Sequence, residues 1–169
     1  MRKVLIVAAM ACAVSASQMD IQAGTTPLIE AKNDVAKVIG VATPCKGAAK
    51  IRRMQIVAFD RYSIALRSQD SMDGYVVDEV TYKADMRRLF VAKYYQAGKR
   101  PSNPTAHVVL NCRTPKCFNR FREGLRPHQA RSEKSSMNIT LCSGKSGRPD
   151  PALTQRLSLA LNNLIKVAK

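Results

Sequence analysis

The sequence predicts an α+β domain in which a bent antiparallel sheet, or partly open β-roll, is covered by a C-terminal helix. Three observations carry this. The last nineteen residues hold one apolar stripe at helical spacing behind a capping residue. The middle of the chain holds short runs rich in Val, Ile, Tyr and Phe, separated by Gly, Pro, Asn and Asp clusters. Hydrophobic residues make up 46% of 169 residues, enough for a single packed core and too many for a disordered chain.

The final helix is the clearest element. Asp150 is a good N-cap and Pro151 suits the first helical position. Leu153, Leu157, Ala160, Leu161, Leu164 and Ala168 then fall on one face, and Lys166 and Lys169 sit where the helix dipole favours cations, so the helix spans 151–168. A shorter helix is expected over 27–39. Thr26 is its N-cap, Pro27 its first residue, Leu28, Ala31, Val35, Val38 and Ile39 its apolar face, and Gly40 its stop.

Between them, residues 54–59 and 62–66 read as a hairpin around Asp60-Arg61, 68–74 as a turn cluster, and 75–82 as a strand. Residues 86–95 carry signals for both helix and strand, and the Phe90-Val91 and Tyr94-Tyr95 pairs decide for a strand. Gly98, Pro101 and Pro104 place a loop at 96–105. Residues 106–112 form a strand with which 117–121 are expected to pair. Residues 123–136 are expected to be a polar loop, and 137–141 alternate as a half-buried strand. From about 51 to 169 this element order resembles a pleckstrin-homology-like roll, which implies a bent sheet plugged by its last helix. No motif carries the resemblance, and it implies no activity.

The start of the chain has the layout of a secretory signal. Arg2 and Lys3 precede an apolar run, Val4–Val14, and small residues follow at Val14-Ser15-Ala16. Eleven apolar residues are too few to span a bilayer. Cleavage is expected after Ala16, with 17–50 as an N-terminal arm carrying the short helix and 51–169 as one globular domain. Ala9-Met10-Ala11 before Cys12 lacks the aliphatic residue of a lipoprotein signal, and no later stretch reaches transmembrane length. The expected destination is outside the cytoplasm, periplasmic or secreted, and so short a signal fits a bacterial periplasm better than a eukaryotic route. Four cysteines remain after cleavage, an even count that reads as two disulfides in an oxidising compartment. The Pro-containing turn between Cys112 and Cys117 favours their pairing, leaving Cys45 with Cys142. A C-x4-C spacing with no second pair does not make a zinc site.

Charge is divided unevenly. The net charge is +16. Residues 17–86 hold nine basic and nine acidic side chains, whereas 87–169 hold seventeen basic against three acidic, a surplus of +14. The densest segment carries Arg113, Lys116, Arg120, Arg122, Arg126, Arg131 and Lys134. A field of one sign on one half of a small domain attracts polyanions. The expected partners are an anionic polymer, lipid headgroups or an acidic protein. With 5% aromatics and no Trp, a stacking platform for single-stranded nucleic acid is hard to build.

Catalytic signals are sparse. Gly144-Lys145-Ser146 lacks the first glycine of a phosphate-binding loop, since position 139 is Ile139, although Ser143–Arg148 is basic and precedes a helix. No G-x-S-x-G elbow is present. His107 and His128 are the two histidines, and a ribonuclease-like hydrolase would need both in one cleft. The leading expectation is therefore an exported, disulfide-stabilised, non-catalytic protein with no metal or cofactor, whose basic half binds an anionic envelope component or protein partner. The alternatives are that hydrolase, or an envelope-assembly subunit marked by an exposed apolar patch.

Overall fold

The computed structural model describes residues 26–47, 50–97, 105–124 and 131–169. The segments expected to form the signal and its cleavage site, with Cys12, lie outside the described residues, as do Arg126 and His128.

The architecture is α+β, two helices on mostly antiparallel sheet. Helix α1 spans Thr26–Gly40. The strands follow as β1 (Cys45–Lys46), β2 (Ile51–Phe59), β3 (Ser63–Met72) and β4 (Tyr75–Asp85), and after one 3-10 turn at Met86–Arg88 as β5 (Leu89–Ala97) and β6 (Thr105–Cys112). Then come β7 (Phe118–Arg122), β8 (Arg131–Lys134), β9 (Ser136–Ile139), β10 (Cys142–Ser143), β11 (Arg148–Pro149) and helix α2 (Pro151–Val167). The main sheet has the order β1-β2-β3-β4-β7-β8, a second sheet has β5-β6-β9, and β10 and β11 form a short ribbon.

Three local expectations change. Residues 117–121 were expected beside 106–112, but β7 pairs with β4 in the other sheet, so the chain switches sheets at the Cys112–Cys117 bridge. The expected loop at 123–136 contains β8, which pairs with β7 through Phe118↔Lys134 and Arg120↔Ser132. Ser68–Met72, expected as turn, is strand, because its polar side chains find partners. Asp70 accepts two hydrogen bonds from Arg52, and Gln69 donates to Glu79. The turn shrinks to Asp73-Gly74, both at positive φ (52° and 84°), the backbone that a two-residue hairpin loop requires. Because β5 and β6 leave the main sheet between β4 and β7, the strand order does not establish a pleckstrin-homology-like meander.

Helix α2 begins where Asp150 accepts the Leu153 N–H at 2.9 Å, with Pro151 beside it. It buries Leu153, Leu157, Leu161, Leu164 and Ile165. These join Ala31, Val35, Val38 and Ile39 of α1 and Ile64, Leu66, Ala84, Leu89, Leu110, Phe118 and Ile139 of the sheets in one hydrophobic cluster. Each fully buried aliphatic or aromatic side chain contributes about 1.5–3 kcal/mol. Side chains of α2 also tie down β5 where its pairing with β6 shifts register. Asn162 accepts from the Ala92 N–H at 2.8 Å and donates to its carbonyl at 2.9 Å, and Ser158 donates to the same carbonyl at 2.9 Å.

The inner face of the main sheet changes character along the strands. One row across β2, β3, β4 and β7 is Phe59, Ile64, Ala84 and Phe118, and the next is Ile56, Leu66, Tyr82 and Arg120. The third is Met54, Ser68, Val80 and Arg122, and the last is Arg52, Asp70 and Asp78. The apolar end of this face lies in the core and the charged end projects beyond it.

The structure joins Cys45 to Cys142 and Cys112 to Cys117. The first bridge ties β1 to β10 beside the Thr43↔Cys142 backbone pairing. No helix among the described residues is long and apolar enough to cross a membrane.

Candidate anion-binding surface

Ion pairing sorts the cations. Asp60, Asp70, Asp78, Glu79, Asp85 and Glu133 are met by Lys83, Arg52, Arg122, Arg67, Arg87 and Lys116 respectively. Five of these six carboxylates come before residue 86, so the excess cations of the later half have few local carboxylates to meet.

Part of the excess lies at one corner, around the Cys112–Cys117 loop. Pairing of Leu89 with Cys112 brings the start of β5 against this loop. Arg88 donates to the Thr114 hydroxyl at 3.1 Å, and its carbonyl accepts from the Arg113 N–H at 2.8 Å. The Arg113 Nε donates to the Leu89 carbonyl at 3.1 Å, and its guanidinium lies 5.9 Å from the Phe90 ring centre. Phe90 is half exposed, so a cation and an aromatic face solvent together. Lys116 sits at φ 60° in the turn, and its ammonium is 3.7 Å from Glu133. Lys134 is exposed on β8 opposite Phe118, and its carbonyl lies 3.5 Å from the Cys112 sulfur. Arg88, Arg113, Lys116 and Lys134 thus surround one disulfide-closed loop, with Glu133 the paired acid. Pairwise ion contacts of such exposed cations contribute little to stability.

The other predicted cations are elsewhere. Arg120 and Arg122 point to the inner face of the main sheet. Arg122 grips Asp78 with two hydrogen bonds of 2.8 and 2.7 Å, and this guanidinium holds the Asp78 carboxyl below the usual carboxylate range. Arg131, on β8, lies with Phe121 on the opposite face of the sheet, its guanidinium 5.4 Å from the Phe121 ring centre. Arg126 lies outside the described residues. Arg88 and Phe90 belong to the corner but escaped the sequence reading, because only the β5–β6 pairing brings them to a loop more than twenty residues away. That pairing was accessible as a relation between two predicted strands.

The residues of the hydrolase alternative are only partly described. His107 is half-buried on β6, stacked on Tyr95 with ring centres 5.6 Å apart. His128 lies outside the described residues. Gly144–Gly147 is a tight turn, and the Lys145 carbonyl accepts from the Lys46 ammonium at 2.9 Å. No group of three or more His, Cys, Asp or Glu side chains with metal-binding spacing occurs among the described residues. Comparison of the chain with protein-family models, with curated proteins and with solved structures found no match.

Proposed function

We propose that this is a small exported, disulfide-stabilised, non-catalytic protein whose basic C-terminal half binds an anionic component of the cell envelope, a polymer or lipid headgroups, or an acidic protein. One observation carries the reading: Arg88, Arg113, Lys116 and Lys134 converge on the Cys112–Cys117 loop beside the exposed Phe90. Cations offered with a half-exposed aromatic suit a charged interface, where the cations meet phosphates or carboxylates and the ring meets apolar atoms. Export is supported by the signal-like start of the chain and by two disulfides, which persist in oxidising compartments. Intact mass of the exported protein tests the cleavage: a chain starting at Ser17 and bearing no lipid is expected, a chain acylated at Cys12 overturns that site, and an uncleaved chain kept in the cytoplasm overturns export.

The binding reading is tested with polyphosphate and with vesicles containing an anionic lipid. Wild-type protein is expected to bind both at low salt and neither neutral vesicles nor neutral polymer. The triple variant Arg113→Ser/Lys116→Ser/Lys134→Ser is expected to lose about tenfold or more in affinity while staying folded, its melting temperature lowered by only a few degrees for the lost Arg113–Leu89 hydrogen bond.

A second reading is favoured by a different observation. At the β3–β4 hairpin end, Ile51, Met72, Tyr75, Val76 and Val77 are all exposed, Tyr75 at 77%. An apolar patch of this kind marks a protein contact, as an envelope-assembly subunit would need. Self-association or capture of a partner that is lost in Tyr75→Ser/Val77→Ser, and kept in the triple variant, would favour it.

A further inference from the structure

We propose that a cavity of about 250 Å³, between the charged end of the main sheet and β9, is a binding site for a small molecule carrying one oxyanion, a phosphate or a carboxylate, on a hydroxyl-bearing body. This site is separate from the basic corner and does not depend on it. Its centre is Arg120. The Arg120 Nε is shut off from solvent and has no hydrogen-bond partner among the described residues. Leaving a buried charged donor unpaired is costly, so the group calls for an acceptor. The nearest carboxylates are already taken. Asp78 gives both oxygens to Arg122 and Asp70 gives both to Arg52, in parallel two-bond pairs of 2.7–2.8 Å. Both carboxyls are consequently held below their ordinary value by those guanidinium hydrogen bonds and stay ionised and engaged at neutral pH. Arg67, the other arginine with a buried unbonded Nε, differs because Glu79 lies 3.2 Å away as its counter-ion. With two acid–base pairs closed on themselves, Arg120 feels Asp78 through space while its own Nε stays unbonded, and this open donor group favours an anion.

The remaining lining, beside Met54, Val80 and Met137, offers groups for a polar body. Ser68 and Tyr82 stand on the same sheet face as Arg120, and Asn138 and Thr140 face them from β9 and the residue that follows it. Three hydroxyls and one amide can each donate and accept, which suits sugar-like or hydroxy-acid groups more than an apolar chain. The volume admits a small molecule and not a polymer, which separates this ligand from the polyanion of the corner.

Isothermal titration at fixed ionic strength, with inorganic phosphate, a hexose phosphate and a uronic acid as probes and chloride as the reference salt, tests the assignment. Wild-type protein is expected to bind the hexose phosphate or the uronic acid saturably at one site. Arg120→Gln is expected to weaken this at least tenfold, and Tyr82→Phe, which keeps the ring and removes the hydroxyl, several-fold with an unchanged fold. The corner variant Arg113→Ser/Lys116→Ser/Lys134→Ser is expected to bind the probes as wild type does. Phosphate or hexose phosphate binding without the uronic acid assigns the oxyanion as phosphate, and the converse assigns a carboxylate. Absence of saturable binding for all three probes up to ~10 mM overturns the proposal, as does probe binding unaltered in both Arg120→Gln and Tyr82→Phe.

Discussion

Removing the two disulfides one at a time should cost very different amounts. Cys45 and Cys142 are 97 residues apart in sequence, whereas Cys112 and Cys117 are separated by five. Chain-entropy arguments give about 4.7 kcal/mol for constraining a loop of the first size and about 2 kcal/mol for the second. The long bridge also lies where the native contacts are dense. Cys142 is fully buried, and its carbonyl accepts the Thr43 N–H at 2.9 Å. For a chain of this size the losses correspond to falls in melting temperature on the order of 15 °C and 6 °C. The assay is urea unfolding of Cys45→Ser/Cys142→Ala and of Cys112→Ser/Cys117→Ala beside wild type. Equal losses, or a larger loss from the short bridge, would show instead that local native contacts outweigh the constraint on the unfolded chain.

Three further outcomes follow from single features. Gly147→Ala should destabilise by roughly 1–3 kcal/mol in thermal unfolding, because φ is +60° and an added Cβ would sit 2.6 Å from the Pro44 carbonyl oxygen. Asp150→Ala should cost about 1 kcal/mol in the same assay by removing the acceptor for the Leu153 N–H at the start of α2. Asp70, Asp78 and Asp85 are each held below the ordinary carboxylate value near 3.8, chiefly by hydrogen bonds from Arg52, Arg122 and Arg87. A carboxyl lowered in the folded state stabilises above its unfolded value, so stability should be level from pH 7 to about 5 and fall below about 4. Asp70→Asn/Asp78→Asn should flatten that fall in urea unfolding measured against pH.

Local signals made much of this fold legible. The capping Asp150, Pro151 and the leucine stripe fix α2 with no help from the rest of the chain, and the same is true of α1. Alternation at 137–141, of which the structure keeps Ser136–Ile139 as strand, and the β-branched runs of β2, β4 and β6 identify strands. What stayed hidden is set by long-range pairing. Ser68–Met72 has turn composition, and only Arg52, which precedes it by sixteen residues or more, makes Asp70 tolerable on an inner strand face. Residues 131–134 are all exposed and carry no alternation, so β8 exists because β7 offers it an edge. The candidate surface shows the same division. The +14 surplus was plain in the composition, but strand alternation sends Arg120 and Arg122 to one side of β7 and the neighbouring Phe121 to the other. A run of cations in sequence therefore becomes a corner, an ion pair and a cavity.

The cations around the Cys112–Cys117 loop are proposed to bind a polyanion through charge. The most direct measurement is the affinity for polyphosphate as a function of salt, in wild type and in Arg113→Ser/Lys116→Ser/Lys134→Ser. Counterion release predicts a linear fall of log affinity with log salt, and a slope reduced by about one unit for each contact removed, so by about three in the triple variant. Binding that is absent at low salt, or whose strength and salt slope are the same in the triple variant, would contradict the claim.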